Sequence, residues 1–91
     1  MRFGGAKKRR DGNEKAIIAA LRRAGIRVRQ AHMPGFADLV CHSHVTGVRL
    51  LEVKSPTGKL TPLQVEHRDD GWPVWIVRNE AEALAVFGVV Q

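Results

Sequence analysis

The sequence predicts an α/β fold, a mixed sheet flanked by helices in the order α-β-β-β-α-β-α. Three observations carry that prediction: helix-start signatures at three separated places, alternation of apolar and polar side chains between them, and glycines where the periodic runs end. With 44% hydrophobic residues in a chain of 91, there is enough apolar material for one small core and no room for a second catalytic domain. Residues 1–10, MRFGGAKKRR, show no periodicity and read as a flexible basic arm ahead of a single domain over 11–91.

The first helix starts at a cap supplied by Asp11 or Asn13. It places Ile17, Ile18, Leu21 and Ala24 on one face and stops at Gly25. Alternation over Ile26 to Ala31 has the period of a half-buried strand, and Met33-Pro34-Gly35 turns the chain. Asp38 to Cys41 and Val48 to Lys54 are β-rich runs joined by the six residues from His42 to Gly47, a length suited to an antiparallel hairpin with an irregular loop. Thr61-Pro62-Leu63-Gln64 supplies an N-cap, a proline at the first helical position and a glutamine three residues after the cap; Gly71 keeps that helix short. Trp72 to Val77 reads as a buried strand, with Trp72 and Trp75 as core or interface residues. Asn79 and Glu82 open a last helix that ends at Gly88.

Charge is unevenly placed. The formal total is +6, but residues 1 to 29 hold ten basic side chains against two acids, a net of +8, so the remainder carries −2. A basic front end on a nearly neutral body is the footprint of a polyanion-binding protein, and Lys7, Lys8, Arg9, Arg10, Arg22 and Arg23 are the candidate DNA contacts. A solubilising tail is the plainer alternative. The single cysteine, Cys41, excludes an internal disulfide framework, and neither a membrane span nor a secretory signal is legible, so the expected setting is cytosolic. There is no nucleophile elbow, phosphate loop or dinucleotide fingerprint.

Chemistry concentrates on the central hairpin. Alternation puts Glu52 and Lys54 on one face, about 6 to 7 Å apart along the strand. If paired residue numbers sum to 90, with Val45 at the turn centre, Asp38 falls opposite Glu52. Two carboxylates meeting across a ladder repel, and a divalent cation is the natural compensation; an all-oxygen pair selects a hard ion, Mg²⁺ or Mn²⁺. Lys54 would then stand beside it as a donor for an attacking water or a transition-state phosphate oxygen. The alternative is a solvated strand face with Asp38 capping a turn. A competing cluster of Cys41, His42 and His44, with His32 nearby, lacks a second Cys or His pair at zinc spacing; it reads better as a buried cysteine beside loop histidines. The segment from Glu66 to Asp70 reads as a mixed-charge helix face, with His67 as a further candidate for substrate contact.

Glu14 on a first helix, Gly35-Phe36-Ala37-Asp38-Leu39 entering a strand, Leu51-Glu52-Val53-Lys54 on the next and Leu60-Thr61-Pro62-Leu63-Gln64 on a following helix together resemble the PD-(D/E)xK nuclease superfamily. More narrowly, residues 11 to 88 resemble its compact VRR-NUC family of virus-type replication and repair nucleases. The resemblance implies a restriction-endonuclease-like core and a metal-dependent deoxyribonuclease. Asp38 and Glu52 match the metal-binding carboxylates, the Val53 carbonyl a further ligand, Lys54 the catalytic lysine, Glu14 the helical acid that supports the metal, and Gln64 the glutamine near the scissile phosphate. Two positions depart from the pattern: Ala37 precedes Asp38, with the proline displaced to Pro34, and the helix after Gln64 is brief. Glu14 and Gln64 also have purely local roles open to them, complementing a helix N-terminus and closing a capping box.

The expected function is Mg²⁺- or Mn²⁺-dependent endonucleolytic hydrolysis of DNA. Stand-alone domains of this size further resemble branched-DNA or Holliday-junction resolvases, which act as homodimers. A non-catalytic nucleic-acid-binding module is the alternative. A basic adaptor for an acidic protein would leave the carboxylates without a purpose.

Overall fold

The computed structural model describes residues 12–31, 36–60 and 62–90. The arm with Lys7, Lys8, Arg9 and Arg10, the Asp11 cap, His32, the Met33-Pro34-Gly35 turn and Thr61 lie outside the described residues, as does the side chain of His67. Helix α1 (Gly12–Arg23) buries Ile17, Ala20 and Leu21, with Ile18 at the margin. Ala24, expected on the buried face, is exposed, because the helix has ended at Arg23 and Ala20 takes the inward place. Gly25, at a φ of +86°, reverses the chain there. Its N–H bonds the Arg22 carbonyl at 3.0 Å, and Ile26 N–H bonds that of Leu21, also at 3.0 Å, the paired bonds of a Schellman stop.

The chain then forms strands β1 (Arg27–Gln30), β2 (Leu39–Ser43) and β3 (Gly47–Val53), helix α2 (Pro62–Asp69), strand β4 (Val74–Val77) and helix α3 (Glu80–Val86). This is the element order expected from the sequence. The four strands lie side by side in that order, β1 to β3 antiparallel and β4 parallel to β3, so α2 is the crossover that a parallel neighbour requires. Hairpin pairs run from Leu39↔Leu51 to Ser43↔Gly47, and the paired numbers do sum to 90. The strands continue through His42 and Ser43, so the turn is only His44, Val45 and Thr46, shorter than the six-residue loop expected. Ser43 Oγ accepts the Thr46 N–H at 3.1 Å, which closes the turn early.

One face of the sheet carries the core. Val28, Leu39, Cys41, Leu51, Val53 and Val77 pack against Ile17 and Leu21 of α1, Ala83 and Leu84 of α3, and Phe87. Leu51 sits on a central strand with no exposed surface. Leu51→Ala is expected to cost about 2 to 5 kcal/mol, read as a lower urea midpoint at unchanged m-value. That is a large share of the stability of a domain this size.

Among the described residues the other sheet face is covered only in part, where Gln64 of α2 meets the buried Glu52. Val40, Val48 and Ile76 are exposed on that face at 37%, 65% and 38%. The expectation of a buried strand over Trp72 to Val77 is therefore corrected: β4 begins at Val74, and only Val77 is buried. The physical reason is that β4 is an edge strand, and none of the described α2 side chains joins the core. Trp72 and Trp75 are likewise not core residues. Trp72 meets Phe36 edge-on at 5.4 Å between ring centroids, and the Arg49 guanidinium lies 5.1 Å above the Trp75 ring.

At the opposite edge, Arg22 Nη2 donates to the Val28 carbonyl at 3.1 Å, covering an acceptor that would otherwise invite another strand. Asn79 caps α3 as expected, its Oδ1 accepting the Glu82 N–H at 2.8 Å; Glu82 Oε1 reaches back one residue further than a capping box requires, to the Arg78 N–H at 2.7 Å. Among the described residues no helix is long and apolar enough to cross a membrane.

Candidate active site

The site forms where β3 runs out of the sheet. One step beyond the last ladder pair, the register places Asp38 opposite Glu52. The chain turns there: the Asp38 carbonyl accepts the Ala31 N–H at 2.8 Å on the β1 side, while its N–H donates to the Leu51 carbonyl at 2.9 Å. Its carboxylate takes over the next rung, with Oδ2 accepting the Val53 N–H at 2.8 Å. The acid is thus fixed in orientation by the backbone of the strand that carries Glu52 and Lys54.

Glu52 is buried, only 4% exposed. Its Oε2 carries both positive neighbours: Gln64 Nε2 donates to it from the first turn of α2, and Lys54 Nζ lies 3.8 Å away. Its Oε1 is buried with no hydrogen-bond partner. Burial, reinforced by the Asp38 carboxylate and less strongly by Glu14, pushes the Glu52 carboxyl from its ordinary 4.5 up to about 7. Lys54 and the Gln64 hydrogen bond pull it back only in part.

The other four residues singled out by the motif, Asp38, Lys54, Gln64 and Glu14, therefore all act on the Glu52 carboxylate, although they come from the entry to β2, the exit of β3, α2 and α1. Glu14 is the most distant in effect. It is buried in the first turn of α1, where its Oε2 accepts a hydrogen bond from Gln30 Nε2 at 3.1 Å. Among the described residues no three His, Cys, Asp or Glu side chains form a metal-holding cluster. The acidic pair is Asp38 and Glu52, with Glu14 set back behind Gln30.

A buried carboxylate oxygen without a partner, facing a second carboxylate, costs free energy that a cation offsets. The donors are hard oxygens, which fits Mg²⁺ or Mn²⁺. Asp38 and Glu52 would hold the ion, with the Val53 carbonyl beside them.

Three further residues support the site and were not singled out from the sequence. Asn13, considered only as a cap, lies inside α1, and its Nδ2 donates to the carbonyls of Lys54 at 3.2 Å and Arg78 at 3.1 Å. It ties the helix to the exits of both β3 and β4. Arg78 Nη1 donates to the carbonyls of Ser55 and Gly58, the latter at 2.9 Å, and holds the loop that follows Lys54. Gln30 occupies an inward-facing place in the alternation of β1, and that polar residue on the apolar side was the one available signal.

Cys41 is buried in the core, which pushes its thiol up to about 12. His42 lies on the opposite, open face and His44 in the turn, so these three do not converge. Arg22 and Arg23 are exposed at the end of α1. No known family, curated protein or solved structure matches the chain.

Proposed function

We propose that the protein is a metal-dependent endonuclease of the PD-(D/E)xK type, similar to the VRR-NUC family, that hydrolyses phosphodiester bonds in DNA. The observation that supports this most strongly is the buried Glu52 carboxylate, crowded by Asp38, bonded through Oε2 to Gln64 and close to Lys54, and left with an unpartnered Oε1. A structural ion pair needs no second carboxylate beside it. A bound divalent ion would neutralise this pair, lower the pKa of a coordinated water and draw electrons from the phosphate.

The chain's own residues supply the rest. Lys54, held beside Glu52 and anchored through its backbone N–H to the Val77 carbonyl at 3.0 Å, presents an ammonium to charge developing on the phosphate oxygens. Gln64 orients Glu52 through its amide from the start of α2. Asp38, locked to Val53, fixes the spacing of the two acids. Glu14 is held by Gln30 and adds negative potential from behind. The basic residues of the arm, with Arg22 and Arg23, would retain the DNA backbone.

The test is a cleavage panel of single-stranded, duplex, flap and four-way DNA, with Mg²⁺, Mn²⁺ and a chelator. Metal-dependent nicking, abolished by chelation, is the expected result. Salt-sensitive binding with no cleavage under any metal would favour the non-catalytic binding module instead. Preference for four-way DNA together with a dimeric mass in solution would place the protein with the junction resolvases.

A further inference from the structure

The outer edge of β1 carries a second charged feature, separate from the carboxylates. A depression with a volume of about 490 Å³ is lined by Arg22 of α1, Arg27 and Arg29 of β1, and Val40 and His42 of β2. Val28 is buried in the core between the two β1 arginines, so Arg27 and Arg29 project on the open side of the sheet. The register sets Arg27 beside His42 and Arg29 beside Val40, and all four are exposed. Neither Arg27 nor Arg29 has a carboxylate or hydrogen-bond partner among the described residues. Arg22 uses one nitrogen on the Val28 carbonyl and has further donors to offer.

Exposed guanidinium groups at this spacing repel one another weakly in water, and an anion bound among them turns that repulsion into attraction. Their spacing suits a phosphate backbone. Arg27 and Arg29 are two residues apart on an extended strand, about 7 Å, which is about two of the 3.4 Å axial steps between phosphates on one strand of a duplex. Guanidinium forks bind phosphate oxygens in pairs, and Val40 beside Arg29 suits the apolar side of a sugar. The row also has a direction. Arg29 is followed by Gln30, whose amide holds Glu14, so the strip begins where the carboxylate site ends.

We infer that β1 and the depression beside it hold the sugar–phosphate backbone of one nucleic-acid strand, Arg29 and Arg27 each engaging a phosphate on one side of the scissile position. The position relative to the cut rests on the nuclease reading; the binding itself does not. The geometry makes β1 a phosphate track leading away from the carboxylates.

The experiment measures the affinity of the full chain for a fluorescent 20-base-pair duplex by anisotropy across a salt series, in chelator so that no cleavage occurs. Losing two phosphate contacts should make the slope of log affinity against log salt shallower by about 1.8, with binding weakened by more than tenfold at physiological salt. Arg27→Ala/Arg29→Ala should show that change at an unaltered melting temperature. Arg27→Lys/Arg29→Lys should largely restore the slope. An unchanged slope in the alanine variant overturns the track, and so does displacement of the duplex by polyglutamate at equal charge concentration, which would show that any extended polyanion suffices. A shallower slope in a protein that never cleaves DNA sustains the track and removes the nuclease reading. Cleavage by a protein whose slope is unchanged does the reverse.

Discussion

Lys54→Ala is expected to reduce metal-dependent DNA cleavage by about 10² to 10³-fold, the usual loss when one preorganised donor to a developing oxyanion is removed. The circular dichroism spectrum should stay the same. The Lys54 side chain is 14% exposed, and its backbone N–H keeps its bond to Val77 in the variant. The loss should fall on kcat more than on KM, because the ammonium acts on charge that appears only in the transition state. Single-turnover rates at saturating enzyme read this directly. Activity equal to wild type would remove Lys54 from the chemistry, and with it the reading of the whole constellation.

Glu52→Gln is expected to separate stability from activity. The Glu52 carboxyl titrates near 7 in the folded protein and near 4.5 as an ordinary carboxyl, so between those values the folded state holds a proton that the unfolded chain releases. Stability contributed by Glu52 is therefore fully present below about pH 4.5 and is lost as pH rises through 7. The linked change is on the order of 3 kcal/mol. Without metal, the wild type should melt lower at pH 8 than at pH 5.5, and Glu52→Gln should remove most of that difference while abolishing cleavage.

Mn²⁺ should have the opposite effect on the wild type at pH 8. A ligand at a hundred times its Kd adds about 2.7 kcal/mol. The glutamine variant should gain little of this, since the amide gives up the charge that would hold the ion. Because a metal held by Glu52 would need the ionised carboxylate, its affinity should rise with pH through 7. Melting curves at the two pH values, with and without Mn²⁺, check all of these outcomes.

The hairpin was the most legible part of the site in the sequence, because strand register is arithmetic: once Val45 is the turn centre, Asp38 must approach Glu52. Gln64 was legible for a similar reason, since Pro62 fixes where α2 begins. What escaped was of two kinds. Asn13 braces carbonyls 41 and 65 residues away, and no local pattern encodes a partner at that range. Ile76 looks like core in the sequence because an apolar run reads the same whether one face or both faces of the sheet are covered, whereas Trp75 shares the core face with Leu51 and Val77 and is exposed at its margin on the edge strand. How far a helix extends over the second face is decided by the rest of the chain.

The Asn13 brace bears on when the site is assembled as the chain folds. Its two bonds are among the longest-range contacts in the molecule, and they close only when the first helix meets the exits of the third and fourth strands. Contacts of high sequence separation carry the largest loop-closure cost and tend to form late. The hairpin can pair early and bring Asp38 to Glu52. Glu14 reaches the site only after α1 has docked, and the Lys54 carbonyl is pinned at that same moment. A chain with the hairpin paired and α1 not yet docked thus holds the two acids without their surroundings, and the site is complete only once the long-range Asn13 contacts close.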